Sequence, residues 1–297
     1  MCGIVAATAK RDVVPILIAG LKALEYRGYD SAGLAVLEPG NLQRLRAKGK
    51  VRDLEALQAT DPIAGSTGIA HTRWATHGVP NTSNAHPLVS RDDVSVVHNG
   101  IIENHEALRA ELRAQGYVFQ SQTYTEFIEH LVHSLVKAGA PLFAAVRQAV
   151  LRLEGAYASA VVSTAEPHTV GGSRRGSPLL LGVGHGGSGR GENFLASDTS
   201  ALLQVTKHVA YLEEGDVVEI RPDGYTIVDA DGHPATRAIV ESQLSADAVE
   251  LGTYSHYMQK EIFEQPGAIA NTLEMVTNAA SISPGLFGAD AGEVFGR

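Results

Sequence analysis

Cysteine and tryptophan occur once each in this 297-residue sequence, at Cys2 and Trp74, and the 24 lysines and arginines are outnumbered by 33 aspartates and glutamates. A lone cysteine excludes an internal disulfide framework and a cysteine-rich zinc site. The formal net charge of -9 argues against nucleic acid or an anionic membrane surface as the main partner. No stretch approaches eighteen consecutive apolar residues, which disfavours a spanning helix. The start, Met1-Cys2-Gly3-Ile4-Val5, has no basic segment ahead of an apolar run, so a secretory leader is not expected and a cytoplasmic setting is. Hydrophobic residues at 44% and charged residues at 19% are ordinary globular values, which sets aside disorder, collagen and coiled coil. The length allows one large domain or two modest ones with a substantial core.

Hydrophobic periodicity predicts strands over residues 3–8, 33–37, 68–71 and 95–98. A helix is expected over 14–26, where Leu17, Leu21 and Leu24 recur at helical spacing behind Asp12. Three more helices follow, over 104–115, 125–138 and 141–154, with Gly116, Gly139 and Gly155 as their stops. Segments 157–163, 178–184, 193–196, 209–212, 217–220 and 225–228 read mostly as strands. Helices grouped between sheet segments imply sheets covered by helices, a layered α+β domain. Near residue 240 the character changes. Residues 257–279 read as mostly helical with Pro266 as a kink or break, and the tail beyond is poor in apolar residues. The expected division is a strand-rich domain over 2–240 and a linker region over 241–297.

Four short motifs bear on chemistry. A lone cysteine is most often a small buried hydrophobe, but position changes the reading of Cys2. Removal of Met1 ahead of so small a residue leaves a thiol and a free α-amine on one residue, a nucleophile beside its own base. The reference pKa of an α-amine is about 7.7–8.0, so it can take a proton near neutrality. The octapeptide His71-Thr72-Arg73-Trp74-Ala75-Thr76-His77-Gly78 follows a predicted strand. Its two histidines are spaced for no common metal site, whereas Arg73 could grip a carboxylate through a bidentate fork or simply be a surface arginine. Asn99-Gly100 is the commonest tight hairpin dipeptide, yet Ile101-Ile102-Glu103-Asn104 leads toward a helix. A side-chain amide with an adjacent backbone N–H also makes an oxyanion hole. Gly182-x-Gly184-x-x-Gly187 matches a dinucleotide fingerprint but leads into another strand, so a hairpin loop is expected there. No cofactor and no metal site is expected.

Taken together these segments resemble the glutamine amidotransferases of the N-terminal-nucleophile hydrolase superfamily, and among them the glutaminase domain of the bacterial glucosamine-6-phosphate synthase family. The resemblance rests on Met1 to Val5, on Leu24-Glu25-Tyr26-Arg27-Gly28-Tyr29-Asp30-Ser31-Ala32-Gly33, on the octapeptide and on Asn99 to Asn104. Arg175-Gly176-Ser177-Pro178-Leu179, Ala196-Ser197-Asp198 and residues 256–266 fit as well. It implies a four-layer αββα sandwich followed by a helical linker. It implies L-glutamine as substrate, attacked by Cys2 to give a thioester and ammonia, with Asn99 and Gly100 as the oxyanion hole. Arg73 then matches the holder of the substrate α-carboxylate, Thr76 and His77 its neighbours, Trp74 the gate of the ammonia path, and Arg27 an arginine close to the nucleophile. The pathway implied is hexosamine and cell-wall precursor synthesis. Fructose 6-phosphate is a partner only through a sugar isomerase half that this chain lacks. That half supports dimers in the family, which leaves a monomer open for this portion.

One departure stands out. The family reads Thr-Asp-Thr-Glu where this chain has Thr123-Tyr124-Thr125-Glu126, and the aspartate binds the substrate α-ammonium. Tyr124 offers an oxygen there but no charge. Two other readings compete with a glutaminase: an amidotransferase half serving another acceptor such as phosphoribosyl pyrophosphate, and a non-catalytic glutamine-binding or structural domain.

Overall fold

A computed structural model describes residues 2–38, 40–75, 78–123, 125–184, 191–242, 253–255 and 257–274. The strands are β1 (Gly3–Ala9), β2 (Ser31–Glu38), β3 (Asn41–Lys48), β4 (Thr67–Arg73), β5 (Leu88–Ser90), β6 (Val94–Ile102), β7 (Gly155–Ser163) and β8 (Val170–Arg175). They continue with β9 (Leu180–Val183), β10 (Glu192–Ala196), β11 (His208–Tyr211), β12 (Val217–Arg221), β13 (Gly224–Val228), β14 (Pro234–Ala235) and β15 (Ile239–Glu241). The helices are α1 (Val14–Ala23), α2 (Val51–Thr60), α3 (His105–Ala114), α4 (Thr125–Lys137), α5 (Leu142–Val150) and α6 (Tyr257–Glu274).

Side-chain alternation along the central strands builds the layers. Every residue of β1 is buried, but its two faces serve different cores. Val5, Ala7 and Ala9 share a cluster with Leu17 and Leu21 of α1 and Leu54 of α2. Ile4 and Ala6 face the other way, toward Val97 of β6 and Ala158 and Ala160 of β7. The far side of β6, with Val94 and Val96, packs on Phe127, Ile128 and Leu131 of α4 and Ala145 and Val146 of α5. Three hydrophobic cores therefore separate four layers: helices, an eight-stranded sheet, a seven-stranded sheet, helices. The first sheet runs β15-β11-β9-β10-β1-β4-β2-β3 and the second β14-β13-β12-β8-β7-β6-β5. The layered α+β expectation holds in this αββα form.

The structure corrects the sequence expectations at three places. The helix expected over 14–26 ends at Ala23 and tightens into a 3-10 turn over Glu25–Arg27. Gly28 then runs extended against the backbone of residues 73 and 74, where a Cβ would lie 2.7 Å from the Arg73 carbonyl carbon. Asn99-Gly100 neither ends a strand nor turns a hairpin: β6 continues to Ile102, and Gly100 pairs with Tyr157 of β7. Gly100 has φ +128°, and a Cβ there would sit 2.0 Å from the Ala156 carbonyl oxygen, so only glycine carries the strand through. Pro266 does not end its helix, since α6 runs on past it to Glu274; residues 275–279 of the expected helix lie outside the described residues. The glycine fingerprint is a β9–β10 connection, as those strands pair antiparallel, and its residues 185–190 lie outside the described residues.

The chain divides into two compact units, Met1–Val249 and Glu250–Arg297. The first holds both sheets, whose last strand, β15, pairs with β11. The described part of the second is α6 and the turn before it, where Tyr254 stacks on Phe263 and Lys260 pairs with Glu264. No helix among the described residues is long and apolar enough to cross a membrane.

Candidate active site

Antiparallel register delivers Cys2 to its surroundings. Gly3 faces Thr72 across the β1–β4 ladder and Ile4 faces His71, so one step earlier Cys2 meets Arg73 and Trp74. The Trp74 N–H donates to Cys2 Sγ at 3.3 Å, and Sγ lies 3.6 Å from the Trp74 carbonyl oxygen. Two side chains hold the Cys2 carbonyl oxygen: Asn99 Nδ2 donates from the opposing sheet at 3.1 Å, and Arg27 Nε donates at 3.2 Å. Around these groups lies a cavity of about 250 Å³, whose wall includes Cys2, Arg27, Arg73, Trp74, Asn99 and Gly100. That volume falls just under the range of clefts for drug-sized ligands and suits a small metabolite. Burial pushes the Cys2 thiol above its ordinary pKa, with the Trp74 N–H and Arg73 pulling against it, so the neutral thiol is favoured. A thiol in that state would need a base to act as a nucleophile.

A carboxylate stands behind each cationic residue. Tyr26 Oη and Arg27 Nη1 both donate to Asp198 Oδ2, at 2.9 and 3.3 Å, which points Arg27 at the first residue of the fold. Arg73 is buried; its Nη2 donates to the Gly78 carbonyl at 3.1 Å, its Nη1 to the Val79 carbonyl at 3.4 Å, and Nη1 lies 3.8 Å from Asp30 Oδ1. Asp30 also accepts from the Ala75 N–H and from Ser31 Oγ, so one carboxylate ties the arginine to the loop that follows it. Trp74 is 44% exposed at the mouth, its ring edge-on to Tyr29.

Six predicted site residues thus meet at one cavity: Cys2, Arg27, Arg73, Trp74, Asn99 and Gly100. Tyr124, Thr76 and His77 lie outside the described residues. Glu126 cannot take over from the missing aspartate, because its two oxygens accept the N–H groups of Gln120 and Ser121 ahead of α4. Nothing in the sequence sets Asp30 or Asp198 apart from the motifs that contain them. The spacing of His71 bears only on metal binding, whereas the ring is buried against Asn99. His86 and His98 also reach the cavity wall, and burial keeps all three imidazoles neutral, His71 at about 3 and His98 at about 4. A cluster of Glu126, Glu129 and His130 has ligand atoms close enough for a metal ion. Glu126 is occupied as described, and the His130 nitrogens engage Ser90 Oγ and the Val118 carbonyl, so two of the three are committed to hydrogen bonds, while Glu129 Oε2 is buried without a partner.

Two sheets between helix layers, with Cys2 just ahead of β1 and Asn99 reaching across to it, form the frame of a glutamine amidotransferase domain. A model of the glutamine amidotransferase domain matches residues 71–210. A glutamine amidotransferase domain is therefore present, and the whole length of the chain matches the N-terminal half of the glutamine–fructose-6-phosphate aminotransferases (isomerizing). It is 53% identical to that of Pseudomonas putida over 298 residues, covering 100% of this chain and 48% of the relative. It is 52% identical to that of Xylella fastidiosa over 295 residues, covering 99% and 48%. The chain therefore spans about half the length of the curated relatives it matches. Among solved structures, the glutamine phosphoribosylpyrophosphate amidotransferase of B. subtilis superposes with a TM-score of 0.66 at 23% identity, over 77% of this chain and 49% of that one. A glutamine aminotransferase class-II domain protein from Silicibacter pomeroyi gives 0.52 at 15% identity, over 77% and 99%. At such identities these two establish the shared fold.

Proposed function

We propose that this domain hydrolyses L-glutamine to L-glutamate and ammonia through a thioester on Cys2. We propose further that, in a protein as long as its relatives, the ammonia aminates fructose 6-phosphate. The observation that carries the reading is the convergence on one residue: Cys2 has its sulfur on the Trp74 N–H and its carbonyl on Asn99 and Arg27, at the wall of a small cavity. The thiol proton passes to the Cys2 α-amine, freed by loss of Met1, as sulfur attacks the side-chain amide carbon. Asn99 Nδ2 and the Gly100 N–H receive the oxyanion. The protonated amine then gives its proton to the leaving nitrogen, ammonia departs, and water cleaves the thioester with the same amine as base. Arg73 takes the α-carboxylate of glutamine, the resemblance gives Thr76 and His77 a share in seating the substrate, Arg27 fixes the Cys2 backbone, and Trp74 stands over the exit. The relatives' shared name as aminotransferases lends no support to a non-catalytic domain.

Intact mass of the purified chain, before and after exposure to an electrophilic diazoketone analogue of glutamine, tests the reading. The expected result is loss of Met1 and a single adduct on Cys2. Loss of Met1 with no adduct and no ammonia release from glutamine would sink it.

Tyr124→Asp addresses the departure at the α-ammonium. A charge-assisted hydrogen bond contributes about 1.5–3 kcal/mol, so restoring the carboxylate should lower KM for glutamine by about ten- to a hundredfold while kcat holds. Glu126 cannot mask the effect, being bonded to the backbone at Gln120 and Ser121. Steady-state kinetics on the two proteins decide it; an unchanged KM would mean that the ammonium is held elsewhere.

A further inference from the structure

The hydrogen bonds around Asn99 leave one question of chemistry. An asparagine side chain is nearly symmetric in shape, but only its NH₂ end can serve an oxyanion, so something must fix which end faces Cys2. We infer that His71, buried between the two sheets, is the residue that orients Asn99 toward the nucleophile. It is a positioning residue for the hydrolysis proposed above and rests on that reading.

His71 Nε2 lies 3.0 Å from Asn99 Oδ1 and 3.1 Å from the main-chain carbonyl oxygen of His98. A carbonyl oxygen can only accept, so Nε2 carries the proton. An N–H on that side demands an acceptor from Asn99, which turns Oδ1 to the imidazole and leaves Nδ2 for the Cys2 carbonyl, 3.1 Å away. The reversed amide would set N–H against N–H at one end and carbonyl against carbonyl at the other. Two fixed acceptors, His98 O and Cys2 O, therefore determine the whole chain of bonds, and the histidine is the link that transmits the choice.

Three further observations separate this role from ordinary core packing. The other ring nitrogen, Nδ1, is buried and has no hydrogen-bond partner, so among the described residues the imidazole spends its hydrogen bonding on the Asn99 side alone. A histidine retained only for core packing has no use for an edge directed at this asparagine. The ring is also held in place: His86 lies against it with centroids 4.4 Å apart, and β4 pairs on both sides, with Ile4 of β1 and Gly33 of β2 opposite His71. Burial keeps the imidazole neutral through the working pH range, so the donor at Nε2 does not become a second cation beside Arg73.

A double-mutant cycle on the full chain with Met1 removed tests the assignment. His71→Phe keeps a ring and loses the donor, and should lower kcat for glutamine hydrolysis about 10- to 100-fold with KM within about threefold, below the loss of a whole oxyanion donor. His71→Gln, which keeps an N–H, should recover at least half of that loss on a logarithmic scale. In an Asn99→Ala background, His71→Phe should cost less than about threefold, because there is no amide left to orient. Equal losses in the two backgrounds, or a rise in KM with kcat unchanged, would overturn the inference. Comparing backgrounds cancels any loss of stability that the ring replacement causes in both, and thermal midpoints recorded alongside identify it. An active parent whose kcat is indifferent to His71→Phe removes this assignment alone, whereas a parent that releases no ammonia from glutamine removes it together with the reading it rests on.

Discussion

Cys2→Ala is expected to cut ammonia release from glutamine by at least about 10⁴-fold, to background, and to abolish labelling by the diazoketone. The size follows from the mechanism, because without sulfur there is no thioester and water must attack an unactivated amide. Stability should scarcely move. Cys2 precedes β1 rather than sitting in its core, and its side chain touches the fold mainly through the Trp74 backbone. In a domain of this size a loss of 1 kcal/mol lowers the melting temperature by roughly 2–4 °C, so a shift inside that range with activity gone isolates chemistry from folding. Cys2→Ser sharpens the point. Burial already disfavours the Cys2 thiolate, and an alcohol is harder still to deprotonate, so serine should fall near alanine rather than near cysteine. Substantial turnover by either variant, measured as ammonia or glutamate, would refute the assignment of the nucleophile.

The fold was readable in the sequence where periodicity was strong and unreadable where tertiary contacts overrode it. Leu17, Leu21 and Leu24 predict the helix over α1, and the apolar runs predict β1, β4, β6 and β7 to within a few residues. The strand β3 passed unnoticed because Asn-Leu-Gln-Arg-Leu-Arg-Ala-Lys has a polar face and only Leu45 fully buried, as an edge strand permits. The strand β8 was hidden by Gly171 and Gly172, which propensity counts against a strand. Packing requires both: a Cβ at Gly171 would meet Val146 at 2.9 Å, and one at Gly172 would meet Leu195 at 2.6 Å. Helix α2 buries only Val51 and Leu54, too short a stripe to stand out.

At the site, sequence logic reached the groups proposed to do chemistry and stopped short of those that hold them in place. Cys2 is legible from its position beside Met1, and Arg73 and Asn99 from the motifs that hold them. The bonds that orient these groups cross long stretches of chain: Asp198 to Arg27, Asn99 to Cys2, and His71 to Asn99 from one sheet to the other. Nothing in the spacing of those residues announces that they meet. The Asn99-Gly100 dipeptide shows the limit most clearly. By local preference it is a hairpin, and only the pairing of β6 with β7 keeps it inside a strand, with Gly100 in a backbone conformation that other residues rarely adopt.

Asn99→Ala is expected to lower kcat by about 10²–10³-fold and to leave KM for glutamine within about threefold. The split is the informative part. In the ground state the substrate amide oxygen carries little charge, so its bond to Nδ2 adds little to binding; the bond strengthens only as the carbonyl becomes an oxyanion. Nδ2 stands 3.1 Å from the Cys2 carbonyl, on the residue whose sulfur attacks, which puts the donor beside the bond being made. Asn99→Asp should be worse than alanine, since it sets a carboxylate where negative charge develops and opposite the fixed Cys2 carbonyl. The second donor, the Gly100 N–H, cannot be removed by a side-chain change, and Gly100→Ala would instead drive a Cβ into the Ala156 carbonyl. Asn99→Ala must therefore remain measurably more active than Cys2→Ala, because it keeps nucleophile, base and one oxyanion donor. If steady-state kinetics show instead a raised KM with kcat retained, Asn99 holds the substrate and not the transition state, and the oxyanion hole must be sought elsewhere in the cavity.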